Sequence, residues 1–296
     1  MDPSPPPGTG TMCRFVHYLG RPLRVGALLT EPENSLIHQS FEAREREEPL
    51  NGDGFGLAWY VDGEAEPARF RSVTPAWSNA NLRELARVTR SSCVLAHVRA
   101  ATQGAEVSEA NCHPFKAGRL SFMHNGDLGG FGRIRRALLD ELSEEAFSGV
   151  RGSTDSEHLF ALVLDELAGE EEPDGFALAA ALERAMARAL AMVAAGAPGE
   201  PSYLNLVLSD GRRSVACRYA TGPPEDAPSL YLSRGRRYTC EGGACRMLDP
   251  EEGHGAILIA SEPLSADAGW EPVPPGHLVV ATVDLEVTVR PLELPA

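Results

Sequence analysis

The residues with chemistry to offer fall in six short segments. They are Cys13, NGDGFG (51–56), AHVRAAT (96–102), NCHPF (111–115), HNGDL (124–128) and GSTDSE (152–157). In each, polar residues stand where a core strand should stop. Each segment has two readings. Cys13 follows Met12 directly. It is either a buried strand cysteine or, if Met12 is the start and is removed, the first residue of the mature chain. A terminal cysteine carries its own base, because its α-amine has a pKa of about 7.7–8.0 against about 8.5 for the thiol. That amine can activate the thiol directly or through a water. Asn125-Gly126 is either a tight turn or two donors aimed at one point, with glycine letting the backbone approach a substrate closely. Arg99 is either an edge-strand ion-pair partner or a buried guanidinium that binds a carboxylate bidentately. Thr154-Asp155-Ser156-Glu157 fits a capping box. Asp155 then either complements the helix dipole or holds an ammonium group. His97, His113 and His124 lack the i,i+4 spacing of helical metal ligands and read as hydrogen-bonded site-lining or core residues. GDGFG lacks the GxGxxG spacing, so nucleotide binding has little support.

These segments need elements to position them. CRFVHYLG (13–20), GFGLAWYV (54–61), CVLAHVRA (93–100) and LSFMHN (120–125) read as buried strands, the last running into a glycine turn. Val25–Leu29 is a further apolar stretch. Helical patterns occupy roughly 132–146, 155–168 and 175–195. After Pro201 come LNLVLSD, SVACRYA, SLYLS, GAILIAS and HLVVATVDLEVTVR, all strand-like. Strand runs, then helices, then strand runs predict an α+β fold with stacked antiparallel sheets and not βαβ alternation. No internal repeat is present. Residues 1–11 hold four prolines and no apolar anchor, and are expected to be disordered.

Composition narrows the function. The chain has 296 residues, 43% hydrophobic and 23% charged, enough for a sizeable core. The 42 acidic residues outnumber 27 basic ones, for a net charge of −15. Such a surface argues against nucleic acid or an anionic membrane as partner, because counterion release needs basic residues. The most apolar stretch, Phe176 to Ala195, contains Glu183, Arg184 and Arg188, and reads as an amphipathic helix and not a membrane span. MDPSPPPGTG has neither a basic nor an apolar region, so no secretory signal is expected. Six cysteines at irregular spacing make a disulfide framework an unfavoured reading. Cys240 and Cys245 alone do not complete a zinc site. Thiols in a chain of this kind suggest a reducing, cytoplasmic setting.

Taken in order, the six segments resemble the class II glutamine amidotransferases, which are N-terminal-nucleophile hydrolases. The likeness continues through TPAWSN (74–79), PSYLN (201–205) and ASEPL (260–264) and covers nearly all of the chain from Met12 on. In MCRF, NGDGFG, TPAW, AHVRA, NCHPF, FMHNG and GSTDSE the sequence is similar to the amidohydrolase subunit of the fungal glutathione-degradation complex. A second relative is the γ-glutamyl hydrolase of ergothioneine biosynthesis.

The resemblance implies a four-layer αββα sandwich, with a glutaminase core from Cys13 to about residue 265 and residues 266–296 adding strands to the same domain. Residues 1–12 would be a disordered extension or a removed leader. It implies Cys13 as nucleophile and Asn125 with Gly126 as oxyanion hole. Arg99, with Thr102, would hold the α-carboxylate of a γ-glutamyl group, and Asp155 its α-ammonium. No cofactor and no metal are implied. The expected reaction is hydrolysis of a γ-glutamyl peptide such as glutathione, with a metallopeptidase-like partner subunit. The alternatives are a hydrolase of thiol-histidine biosynthesis, a glutaminase subunit feeding a separate synthase, or a binding module without catalysis. One feature departs from the family: its nucleophile is the first mature residue, and here twelve residues precede Cys13.

Overall fold

The computed structural model describes residues 12–45, 50–100, 106–249 and 255–294. The expected disorder of 1–11 therefore concerns residues outside the described ones. In chain order the strands are β1 (Arg14–Arg24), β2 (Phe55–Trp59), β3 (Ala68–Ser72), β4 (Arg90–Val98), β5 (Phe115–Ala117), β6 (Leu120–Asp127), β7 (Tyr203–Ser209) and β8 (Ser214–Arg218). They continue with β9 (Tyr231–Gly235), β10 (Arg237–Glu241), β11 (Ala244–Leu248), β12 (Ala256–Ala260), β13 (Trp270–Pro272), β14 (His277–Ala281) and β15 (Val287–Pro291). The helices are α1 (Gly26–Leu29), α2 (Leu36–Gln39), α3 (Ala80–Val88), α4 (Phe131–Asp140), α5 (Glu144–Gly149), α6 (Asp155–Glu166) and α7 (Gly175–Gly196).

Two antiparallel sheets stack face to face. One has the order β13-β9-β12-β1-β4-β2-β3 and the other β15-β14-β8-β7-β6-β5. The side-chain alternation of β1 shows why it lies at the centre. Phe15 and Leu19 point into the layer between the sheets, with Met123, Val207 and Ala216 from the opposite sheet. Val16 and Tyr18 point the other way, into a cluster with Leu28, Leu36 and Leu82. A third cluster seals α4, α6 and α7 onto the six-stranded sheet through Leu138, Leu162, Leu182 and Met186. The result is four layers in the order αββα. Its inner strands are buried on both faces, which is why they read as nearly continuous apolar runs.

Some elements differ from their sequence reading. The 132–146 helix is two, because the chain breaks at Leu142 and Ser143 restarts it by accepting the Ala146 N–H. The apolar stretch Val25–Leu29 holds one helical turn, α1. The last apolar run splits into β14 and β15 at a turn closed by the Thr282 N–H on the Glu286 carbonyl. Helix α3 and the β10–β11 hairpin had no sequence counterpart. That hairpin pairs Cys240 directly with Cys245, and the two form a disulfide. This local bridge is not a framework, since the other four cysteines are free thiols; cross-strand register brings the pair together. Among the described residues no helix is long and apolar enough to cross a membrane.

Candidate active site

Cys13 immediately precedes β1. Its thiol is half-buried and lies 3.5 Å from the Ala100 carbonyl, at the end of the neighbouring β4. The other thiols outside the disulfide, Cys93, Cys112 and Cys217, are buried. Burial pushes Cys93 and Cys217 up to about 12 and raises Cys112 as well. They are poor nucleophiles, since the thiolate is the reactive form.

The residue after Cys13 holds it in place. Arg14 is fully buried and donates one guanidinium N–H to the Cys13 carbonyl at 2.9 Å. Its Nε meets Glu262 Oε1 at 2.8 Å. Glu262 also accepts the backbone N–H groups of Arg44 and Glu45, at 2.9 and 3.1 Å. Burial alone would raise the Glu262 carboxyl, but the Arg14 charge and these donors together lower it. The preceding residue, Ser261, receives the Phe15 N–H on its hydroxyl at 3.1 Å and returns its own N–H to the Phe15 carbonyl at 3.0 Å. Asn125 on β6 reaches the same hydroxyl with its Nδ2, at 3.4 Å.

Gly126 follows with φ of 143°. A Cβ there would lie 1.9 Å from the Tyr203 carbonyl oxygen on the paired strand β7, so no other residue fits. His124 braces this bend. Its Nε2 donates to the Tyr203 carbonyl at 2.9 Å, and its Nδ1 faces Ser156 Oγ at 3.0 Å.

Arg99 continues β4 beyond its last ladder residue, tied on both sides by backbone. Its N–H donates to the Gly54 carbonyl at 2.8 Å and its carbonyl accepts the Asp53 N–H at 3.0 Å. Gly54 takes φ of 117° with the Cys112 sulfur against it, which gives the NGDGFG glycines a structural reason. The Arg99 side chain is only 4% exposed, and its two terminal nitrogens both donate to the Glu106 carbonyl at 3.3 Å. Among the described residues it has no carboxylate partner. Thr102 lies outside the described residues.

Asp155 opens α6. Thr154 caps the helix by accepting the Glu157 N–H at 3.2 Å, as expected. The reciprocal half of the box is absent, because the Glu157 carboxylate accepts the Arg151 and Gly152 N–H groups instead. Asp155 accepts the Leu128 N–H at 2.8 Å, which ties it to the turn after Gly126. No Arg or Lys side chain pairs with it among the described residues, and its ion-pair neighbour is His124 at 4.0 Å. The fold thus brings Cys13, Asn125 and Gly126 to the ends of facing sheets, with Asp155 tied to the turn after Gly126. Arg99 stands on the strand beside Cys13.

His97 and His113 stack with centroids 4.2 Å apart beneath this region. His97 Nε2 donates to the His124 carbonyl at 3.1 Å. Neither nitrogen of His113 has a partner among the described residues. Burial lowers His97 to about 3 and drives His113 well down too, so both rings are neutral. Arg14, Ser261 and Glu262 had no role assigned from sequence. ASEPL had drawn attention only as part of a resemblance, and the contacts to β1 span about 250 residues.

The family model for class-II glutamine amidotransferases matches residues 29–221. The chain is 40% identical over 290 residues to the probable glutamine amidotransferase DUG3 of Saccharomyces cerevisiae, covering 90% of this chain and 81% of that protein. It is 29% identical over 288 residues to the γ-glutamyl-hercynylcysteine sulfoxide hydrolase of Mycolicibacterium smegmatis, covering 95% of this chain and all of that one (100%). Among solved structures, a glutamine aminotransferase class-II domain protein from Silicibacter pomeroyi matches with a TM-score of 0.66 at 31% identity, covering 95% and 99% of the two chains.

Proposed function

The chain belongs to the class-II glutamine amidotransferases, and from that premise we propose that it releases glutamate from a γ-glutamyl peptide such as glutathione through a thioester on Cys13. At the coarser level it is a cysteine-nucleophile amidohydrolase of γ-glutamyl substrates, on the N-terminal-nucleophile αββα fold. The observation that carries the substrate reading is Arg99. A buried guanidinium without a carboxylate is costly. A substrate α-carboxylate supplies the missing charge, and Thr102 joins it there. Asp155 takes the α-ammonium. The two charges fix the amino-acid end, and the γ-carbonyl then meets the Cys13 sulfur.

The Cys13 α-amine takes the thiol proton, and sulfur attacks the γ-carbon. The developing oxyanion is held by the Asn125 amide and the Gly126 N–H. Collapse expels the amine, which leaves with the proton, and forms the γ-glutamyl thioester. Water then attacks with the same amine as base, and glutamate departs. This route needs Cys13 as the first residue, so the active form begins there, whether translation starts at Met12 or a leader is trimmed. The catalytic unit runs from Cys13 to about 265, and residues 266–296 complete its sheets. The protein works in the cytoplasm beside a metallopeptidase-like subunit that handles the released dipeptide. The likeness to the Mycolicibacterium hydrolase favours one second reading, in which the leaving group is that of thiol-histidine biosynthesis.

Glutathione is expected to show a higher kcat/KM for glutamate release than glutamine, measured on Cys13-terminal protein with and without the candidate partner. Faster glutamine hydrolysis under both conditions overturns the peptide reading and favours a synthase-feeding subunit. In the Cys13→Ala background, γ-glutamyl binding should persist in calorimetry. Adding Arg99→Lys should weaken it by about tenfold, because a point charge cannot replace a bidentate fork. Equal affinities would remove Arg99 from the carboxylate role.

A further inference from the structure

Asn125 is wholly buried, and its amide is only half accounted for. As drawn, Nδ2 reaches Ser261 Oγ at 3.4 Å, while Oδ1 has no partner among the described residues. Ser261 Oγ already accepts the Phe15 N–H at 3.1 Å. In this orientation the hydroxyl accepts twice, and its own proton has no acceptor among the described residues. A serine hydroxyl has one proton to donate and a buried amide oxygen needs a donor, so the drawn orientation wastes both. Amide oxygen and nitrogen are nearly equal in size, and which faces which is decided by the hydrogen-bond network.

Turning the amide by 180° resolves both faults. Oδ1 then accepts the Ser261 proton, and the NH2 group occupies the position that has no protein partner. Such an uncommitted donor is what a developing oxyanion requires. The paired residue on β7, Asn205, also has an Oδ1 without a partner among the described residues, but the other end of its amide is fixed. Its Nδ2 is fixed by two carbonyls, those of Pro228 and Ser229, both at 3.0 Å. Among the described residues the Asn125 amide has Ser261 alone. The Ser261 hydroxyl is itself held firmly, since the Ser261 N–H donates to the Phe15 carbonyl at 3.0 Å and its carbonyl accepts Ser229 Oγ at 2.8 Å.

We infer that Ser261 is a positioning residue: its hydroxyl bridges the nucleophile strand to Asn125 and turns the Asn125 amide so that its NH2 faces the reacting carbonyl. This rests on the oxyanion role proposed above for Asn125. Ser261 touches no reacting atom and acts only through that amide.

The test is a double-mutant cycle on turnover of a γ-glutamyl substrate. Asn125→Ala should lower kcat by about 100-fold. Ser261→Ala should lower it by about fivefold, the worth of one orienting hydrogen bond, with the affinity for glutamate unchanged. The double variant should be no slower than Asn125→Ala within about twofold, because Ser261 has nothing left to orient. Multiplying losses, or a wild-type kcat in Ser261→Ala, overturn the inference and leave the oxyanion reading intact. A wild-type kcat in Asn125→Ala removes that reading, and the inference with it. Neutron diffraction from the Cys13→Ala protein gives an answer that needs no change at Ser261. An oxygen of Asn125 facing Ser261 Oγ supports the assignment, and a deuterated nitrogen there overturns it.

Discussion

At the residue scale the Arg14–Glu262 pair carries more than its own stability. Both side chains are buried, and through Arg14 the pair holds the Cys13 carbonyl. Through Glu262 it also holds the backbone of Arg44 and Glu45. Replacing one partner leaves the other charge buried and unpaired. Glu262→Ala is therefore expected to destabilise the fold by about 3–5 kcal/mol, read as a shift in the denaturant midpoint. Turnover should fall beyond the loss of folded protein, since the carbonyl of Cys13, the proposed nucleophile, loses its anchor. A change below about 1 kcal/mol would mean that water replaces the carboxylate. Environment separates the thiols: burial drives Cys93 and Cys217 up to about 12, whereas Cys13, the proposed nucleophile, is half-buried just before β1.

At the element scale the decisive feature is the end of β6, where the strand bends at Gly126 against β7. The Tyr203 carbonyl occupies the place where a side chain would start. Gly126→Ala combines a left-handed φ with a backbone clash, and should cost about 2 kcal/mol or more. Calorimetric Tm measures the loss, and an unchanged Tm would show that β7 can move aside. The same substitution shifts the Gly126 N–H, so kcat should fall more than affinity for glutamate. The β10–β11 hairpin, by contrast, sits on the outer face of the seven-stranded sheet, with Tyr238 and Met247 packed into that face's cluster. Its disulfide joins residues five apart in sequence and closes a very small loop.

At the scale of the whole molecule, His17, His97, His113, His124 and His158 are buried, and burial drives three of these rings far below their ordinary value. Burial lowers His17 to about 4 and His97 to about 3, and His113 falls well below its ordinary value. All three are neutral in the folded protein at pH 6.5 and below, while the unfolded chain takes up protons there. Their contribution is fully present above pH 6.5 and is lost as pH falls toward the folded values. Between pH 6.5 and 5 His17 and His97 each cost about 1.5 kcal/mol, and His113 adds a loss in the same direction. Asp127, pushed up to about 6 by partial desolvation and by the Asp155 charge, works in the opposite sense, but it is one group with an exposed face. Urea unfolding at pH 7 and pH 5 should show a clear loss of stability at the lower pH. A flat profile over that interval would mean that the three rings reach water or a partner.

The amino-acid sequence by itself determined that β1, β4 and β6 are inner strands, because strands covered on both faces must be largely apolar along their length. It also determined the α6 cap at Thr154 and the fourfold likeness of Cys13, Arg99, Asn125-Gly126 and Asp155 to an amidotransferase site, since these are local patterns of residue type. Helix α3 has a weak sequence signature because its buried stripe is thin, with only Leu82 and Ala86 fully covered. The tertiary structure alone decided that Ser261 and Glu262 stand against Phe15 and Arg14. Antiparallel register between β1 and β12 creates that contact, Val16 facing Ala260 across some 240 residues, and register has no local signature. It also decided that Arg99 is buried with no carboxylate partner among the described residues, because burial and pairing are properties of what surrounds a side chain and not of the side chain.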